Sequence, residues 1–249
     1  MSPAPSHPWH IVEGEAGCRF AAERCAVAVV VDALRASATA AMLLDAGATE
    51  LLVVRTVEEA FAARQRFPDA LLYGERGGLP PEGFDYGNSP REAAPARGKQ
   101  VIFTTTTGAG RLVAAWGSEA VYFGSTVNAS AVVRAAARHD REVVLIPAGL
   151  ADEPSFDAQE DWVAAAVIAM KSGARIAEGA DRFAFWRQRI DREGVDALFH
   201  SAPHAGKLRS VGMAQDVACC AQVDVTAVVP AAVAQDTLGV WVRAVRPAP

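Results

Sequence analysis

The residues that could do chemistry follow apolar runs. Val27–Val31 is continuously aliphatic and ends directly at Asp32, with Arg35, Ser37 and Thr39 next and a run of alanine and leucine after them. A carboxylate at the carboxyl end of a buried strand, with a helix starting a few residues on, is where open α/β sheets place ligands. The pattern recurs along the chain. Residues 70–73 run into Gly74, Glu75, Arg76, Gly77 and Gly78, and residues 100–103 run into Thr104, Thr105, Thr106, Thr107 and Gly108. Residues 120–123 lead to Gly124, Ser125, Thr126 and Asn128, and residues 142–146 to Ala148, Gly149, Asp152 and Glu153. Glu160 and Asp161 open the apolar stretch after that.

Each residue type has a use. Carboxylates at Asp32, Glu75, Glu160 and Asp161 offer the hard oxygens that suit Mg²⁺, which commonly takes one or two protein carboxylates. Arg35 and Arg76 can fork two hydrogen bonds onto a phosphate or carboxylate. The four threonines and Gly108, between strand and helix, can turn hydroxyls, backbone N–H groups and a positive helix end toward an anion. Plainer roles compete. Asp32 could cap a helix while Arg35 pairs at the surface, the threonines could be β-propensity running on, and Glu160 and Asp161 could be favourable first-turn charges. His204 has no partner visible in the sequence, and a histidine so placed is more often a surface or core residue. Trp162, Trp186 and Trp241 read as core. The Walker pattern GxxxxGK[ST] is absent and Gly108-Ala109-Gly110 lacks the third glycine of GxGxxG, which disfavours a nucleotide-using transferase.

The elements that must position these groups alternate. Strands are expected at 9–12, 27–31, 51–54, 70–73, 100–103, 120–123 and 142–146. Helices are expected from Ala40, from Thr56, and over 108–116, 129–138 and 158–171. Gly47 closes the first of these helices, and Thr56 with Glu59 forms a capping box for the second. Residues 74–90 are too rich in Gly, Pro and polar groups for regular structure, and 150–158 reads as a loop. Such alternation predicts βαβ units, a mostly parallel sheet and a three-layer α/β/α architecture. In a parallel sheet all the loops just named would open along one edge. The last third is less regular: helical at 177–193 and at 202–221 with a break near Gly212, then two edge or antiparallel strands at 225–229 and 238–245 with Pro230 between them.

Bulk properties narrow the class. The chain has 249 residues and is 51% apolar against 21% charged, so it can bury a sizeable core. We read it as one α/β domain over 1–249 with a frayed tail at 1–8. A net charge of −5 without a basic block argues against a nucleic-acid binder. The start lacks a basic and an apolar signal region, no run of about 18 apolar residues occurs, and the four cysteines form no CxxC pair. A reduced, cytoplasmic protein without membrane contact is expected, with a homodimer as an open assembly state.

The quoted stretches then take on an identity. VVVDALRASATA, GERGGLPPEGFDYGNSP, IFTTTTGAGR, FGSTVNASAV, SFDAQEDWVAAAVI and HAGKLRSVGMAQDVACCAQVDVTAVVP, in this order and spacing, resemble the 2-phosphosulfolactate phosphatase family from about Val27 to Pro230. The resemblance implies an α/β/α fold and a magnesium-dependent phosphatase of coenzyme M biosynthesis. Such an enzyme hydrolyses 2-phosphosulfolactate to 3-sulfolactate and phosphate. The positions it carries over are Asp32, Arg35, Glu75, Arg76, Asn88, Ser89, Thr104, Thr105, Thr106, Gly108, Ser125, Asn128, Glu160 and Asp161. The chain departs from the family at Thr107-Gly108-Ala109, where Asn-Gly-Thr is usual, and at His204-Ala205-Gly206-Lys207, in place of an HGR-like sequence.

The expected site follows. Asp32, Glu75 and Asp161 hold Mg²⁺, and Arg35, Arg76 and the threonine loop bind phosphate oxygens. Gly108, Ser125, Asn128, Asn88, Ser89 and His204 complete the pocket for a small anionic phosphorylated substrate. Asp32 serves either as nucleophile or as metal ligand, and Leu34 stands where a DxD arrangement would carry its second aspartate. The alternative is a non-catalytic binder of an anionic metabolite on the same fold.

Overall fold

The computed structural model describes residues 7–150 and 156–248; residues 1–6 of the expected tail, and Asp152 and Glu153, lie outside them. The first half of the chain contributes β1 (Trp9–Ile11), α1 (Gly14–Glu23), β2 (Val27–Val31), α2 (Ala36–Asp45), β3 (Glu50–Val53), α3 (Val57–Arg66), β4 (Leu71–Gly74), β5 (Gln100–Thr104) and α4 (Gly108–Ala114). There follow β6 (Ala120–Phe123), α5 (Ala129–Ala136), β7 (Val143–Pro147) and α6 (Gln159–Ser172). The last third holds α7 (Ala180–Glu193), α8 (Val195–Ser201), α9 (Pro203–Ser210), α10 (Ala214–Ala221), β8 (Val229–Gln235) and β9 (Val240–Val245).

Local chemistry explains the main elements. All five residues of β2 are buried, as a strand covered on both faces requires. Eight of the ten residues of α2 are buried too; they are chiefly Ala, Ser and Thr, whose small side chains let the helix pack on all sides. The capping box of α3 forms as expected, with Glu59 N–H donating to Thr56 Oγ1 at 3.1 Å and Thr56 N–H donating to Glu59 Oε2 at 3.1 Å.

One sheet runs β1-β7-β2-β6-β8-β9-β3-β5-β4. β1, β7, β2 and β6 pair in parallel, and so do β3, β5 and β4. Between the blocks lies the β8–β9 hairpin, antiparallel within itself and to β6 and β3 on either side. Three reversals in succession make the second block run opposite to the first. The strand ends therefore do not share one edge, contrary to the expectation for a uniformly parallel sheet. The loops meet nevertheless: Gly108, just after β5, packs directly against Asp32, just after β2.

The terminal strands correct a second expectation. They occupy the centre of the sheet rather than its edge, and Pro230 lies within β8 rather than between the strands. A proline is tolerated there because β8 meets β6 at only one register position, Tyr122 against Ala231, and carries a bulge between Ala232 and Ala234. Helices cover both faces. α1, α2 and α4 share a core with the inward faces of both blocks, including Val30, Ile146, Val53 and Phe103. The opposite face is covered by α5 to α10 behind the first block and by α3 behind the second. Trp162 and Trp186 are buried as expected, whereas Trp241 is half-buried, edge-on to Phe67.

Asn128 shows how the hairpin is held. It is fully buried; Oδ1 accepts Ser125 N–H at 2.9 Å, and Nδ2 donates to Phe123 O at 3.4 Å and Val228 O at 3.0 Å. These bonds tie the end of β6 to the start of β8. Replacing Asn128 by Ala strands three backbone groups, so urea unfolding should show a loss of about 2–4 kcal/mol. An unchanged midpoint would contradict this role.

Candidate active site

The turn between β2 and α2 is built to present Asp32 and Arg35. Ser37 Oγ accepts Asp32 N–H at 3.0 Å and donates to Val30 O at 3.0 Å, while Asp32 Oδ1 accepts Ala36 N–H at 3.1 Å. The Oδ2 atom of Asp32 makes no hydrogen bond to the described residues. Gly108 sits against it: a Cβ there would lie 2.5 Å from Oδ2 and 2.7 Å from the Ala36 Cβ, so α4 can start this close only with glycine. Arg35 is buried, and its guanidinium donates to Asp216 Oδ2 at 2.5 Å and to Gly78 O at 2.7 Å. Asp216, on α10, also accepts from Ser89 Oγ at 2.8 Å. A buried charge needs such partners, and here they pin three distant segments around one guanidinium.

The loops after β4 and β5 are braced by Glu75. Its Oε1 accepts Thr106 N–H at 2.7 Å and its Oε2 accepts Gly78 N–H at 2.9 Å. Gly77 and Gly78 have φ of 63° and 89°, a conformation open chiefly to glycine, and this turn directs Gly78 N–H back to the carboxylate. Arg76 points elsewhere. It donates to Glu75 O, Arg55 O and Thr104 Oγ1, so backbone carbonyls and a hydroxyl take the fork expected for phosphate. Of the four threonines, Thr106 and Thr107 line the cavity; Thr104 is buried against Arg76, and Thr105 Oγ1 accepts Ala109 N–H at 3.0 Å.

α6 and α9 supply the remaining wall. Asp161 bridges two turns, accepting Ala33 N–H at 2.7 Å and Gly149 N–H at 3.1 Å. Glu160 Oε1 meets His204 Nδ1 at 3.2 Å, and its buried Oε2 has no partner among the described residues. Thr107 Oγ1 and Asn88 Oδ1 are likewise buried without partners among them, and both residues line the same cavity.

That cavity has a volume of about 410 Å³. Asp32, Glu75, Glu160 and Asp161 line it with Arg35, His204 and Lys207. The structure thus brings together Asp32, Arg35, Glu75, Asn88, Thr106, Glu160, Asp161 and His204 of the expected set. It does not bring Arg76, Thr104 or Thr105 to the cavity. Ser125 and Asn128 are also elsewhere, in the turn that ties β6 to β8, where the Ser125 hydroxyl lies 3.3 Å from that of Thr126. Ser89 acts on Asp216, and Gly108 makes room for Asp32. Among the described residues, no three His, Cys, Asp or Glu side chains are grouped to hold one ion, so the expected trio Asp32, Glu75 and Asp161 does not form a shared ligand set. Glu75 and Asp161 instead have every carboxylate oxygen bonded to a backbone N–H. Asp216, Lys207 and Phe156 were not among the expected residues.

The crowded carboxylates perturb one another. Burial raises the Asp32 carboxyl from 3.8 to about 6; Glu75 and Glu160 add to the rise, while Ala36 N–H and His204 oppose it. Burial, then the charges of Glu160 and Asp32, push Asp161 up as well. For His204, burial disfavours the charged ring, but the hydrogen bond to Glu160 and the charges of Glu160, Asp32 and Glu75 together raise it above its ordinary value. Because native Asp32 holds its proton more tightly than the unfolded chain does, stability falls as pH rises from about 4 to about 6 and stays lower above that. Asp32→Asn keeps the Oδ1 acceptor and removes the charge. In metal-free buffer near pH 7.5 this variant should be more stable than the wild type by on the order of 1–3 kcal/mol, the gain vanishing near pH 4. Equal unfolding midpoints at both pH values would contradict the electrostatic reading.

The chain is similar to known proteins over most of its length. The family model described as 2-phosphosulpholactate phosphatase matches residues 16–235. A protein of Deinococcus radiodurans named probable 2-phosphosulfolactate phosphatase is 39% identical over 217 residues, covering 84% of this chain and 89% of its own. Proteins of the same name from Thermus thermophilus and Carboxydothermus hydrogenoformans are 38% and 35% identical, covering 82% and 81% of this chain and 86% and 84% of theirs. The chain belongs to the 2-phosphosulpholactate phosphatase family of phosphoric monoester hydrolases.

Proposed function

We propose that the protein hydrolyses 2-phosphosulfolactate, or a closely similar small phosphorylated organic acid, to the hydroxy acid and phosphate, with Mg²⁺ as cofactor. Formation of 3-sulfolactate would serve coenzyme M biosynthesis. The observation that carries this reading is one cavity holding four carboxylates, the fixed guanidinium of Arg35 and the Glu160–His204 pair. The substrate named for the relatives supports the choice of ester.

The residues present fit a magnesium ion. Among the described residues Glu160 Oε2 is buried and unpartnered, and Asp32 keeps one oxygen free of hydrogen bonds, so these two carboxylates would hold the ion. When bound, Mg²⁺ would neutralise charge on the phosphoryl group and polarise its oxygens.

The chain's own groups do the rest. Arg35, already fixed by Asp216 and Gly78, would donate to a phosphoryl oxygen with little loss of side-chain freedom. Thr107, whose hydroxyl lacks a partner among the described residues, and Thr106 would add hydrogen bonds at the start of α4. His204 Nδ1 faces Glu160, which leaves Nε2 to hold a proton for the departing alkoxide oxygen. Phe156, Leu34 and Leu208 line the apolar part of the wall and limit water around the reacting bond.

Phosphate release from 2-phosphosulfolactate should require Mg²⁺, cease with EDTA and return when the metal is restored. Asp32→Ala should abolish it, and His204→Asn should lower kcat by about 10²- to 10⁴-fold. EDTA-resistant turnover would refute the metal dependence; near-normal turnover in Asp32→Ala would refute the site.

A further inference from the structure

Among the described residues three basic side chains line the cavity, and two already have protein partners. Arg35 is held by Asp216 and Gly78 O, and His204 by Glu160. Lys207 differs: among the described residues its ammonium makes neither a hydrogen bond nor an ion pair, and it lies 4.6 Å from the centre of the Phe156 ring. The face of an aromatic ring attracts a cation and steadies its stem, yet it takes none of the strong acceptor positions the three ammonium hydrogens can use.

Its place along the cavity is also defined. His204 and Lys207 stand three residues apart on α9, so they share a face, with a rise of about 4.5 Å between them. Phe156 bridges the two, edge-on to His204 with ring centres 6.1 Å apart. Exposure increases outward, from 2% for the Glu160 side chain to 29% for His204, with Lys207 open to solvent. Lys207 thus stands at the mouth while Glu160 stands at the floor.

We propose that Lys207 receives a second oxyanion of the substrate, a carboxylate or sulfonate next to the phosphorylated carbon, and thereby selects among phosphate esters; this rests on the phosphatase reading above. An ester carrying extra negative charge enters a cavity already lined by four carboxylates. Among the described residues, Lys207 is the lining cation without a hydrogen bond or ion pair, and it is placed to compensate that charge. A lysine merely solvated at the surface would leave substrate choice unaffected.

Three esters on the same carbon skeleton separate the possibilities: 2-phosphosulfolactate, 2-phospholactate, which lacks the sulfonate, and isopropyl phosphate, which lacks both acids. The measurement is kcat/KM for each with wild type, Lys207→Met and Lys207→Arg. The preference for 2-phosphosulfolactate over 2-phospholactate should fall roughly 10- to 100-fold in Lys207→Met, mainly through KM, and recover in Lys207→Arg if the sulfonate is bound. If the carboxylate is bound, the preference for 2-phospholactate over isopropyl phosphate falls instead. Both ratios unchanged in Lys207→Met would overturn the inference alone. No turnover of any ester by the wild type would overturn the phosphatase reading and the inference with it.

Discussion

The structure depends on how negative charge is managed at the rim where the turns after β2, β4, β5 and β7 meet. Four carboxylates line one cavity, where low dielectric makes like charges costly. Backbone donors relieve part of that cost: Ala33, Gly149, Thr106 and Gly78 each give an N–H to Asp161 or Glu75. Among the described residues Asp32 and Glu160 are left with uncommitted oxygens, and burial, reinforced by the charges of Glu75 and Glu160, raises the carboxyl of Asp32. Under the proposed function, this arrangement, unfavourable alone, would become favourable once a divalent cation and an anionic substrate entered together.

The sheet makes this convergence achievable. A C-terminal hairpin inserted between two parallel blocks reverses the second block, and the turn after β5 still reaches the first through the contact of Gly108 with Asp32. The Arg35–Asp216 pair then locks the result. It joins residues 181 positions apart in sequence and draws α2, the Gly78 turn and α10 onto one guanidinium. Two of these segments come from opposite ends of the chain, so the cavity forms only when the whole fold is in place.

Much of this was legible in the residues. Most strand positions, the capping box at Thr56 and the meeting of Asp32, Glu75 and Arg35 at one cavity follow from apolar runs and from polar groups at their ends. Helix α1 was not legible, because glycines at 14 and 17 interrupt its helical signal. The central place of β8 was hidden by Pro230, which in most sheets marks an edge or a break. Arg76 and Asn128 misled for a shared reason: a polar side chain beside a strand end can serve the backbone as readily as a ligand, and only hydrogen-bond partners tell the two apart. Asp216 did leave a signal, since it shares the inward face of α10 with Cys220 one turn on, and a carboxylate on a buried face requires a cation.

The central claim is that the unbalanced carboxylates form a magnesium site completed by Asp32. Calorimetric titration of Mg²⁺ into the metal-free protein near pH 6, repeated in buffers of different ionisation heat, tests it most directly. Saturable binding with proton release is expected, because the metal displaces the proton that the raised Asp32 carboxyl retains, and both the affinity and the proton release should drop sharply in Asp32→Asn. Binding that is absent in the wild type, or unchanged by that substitution, would contradict it.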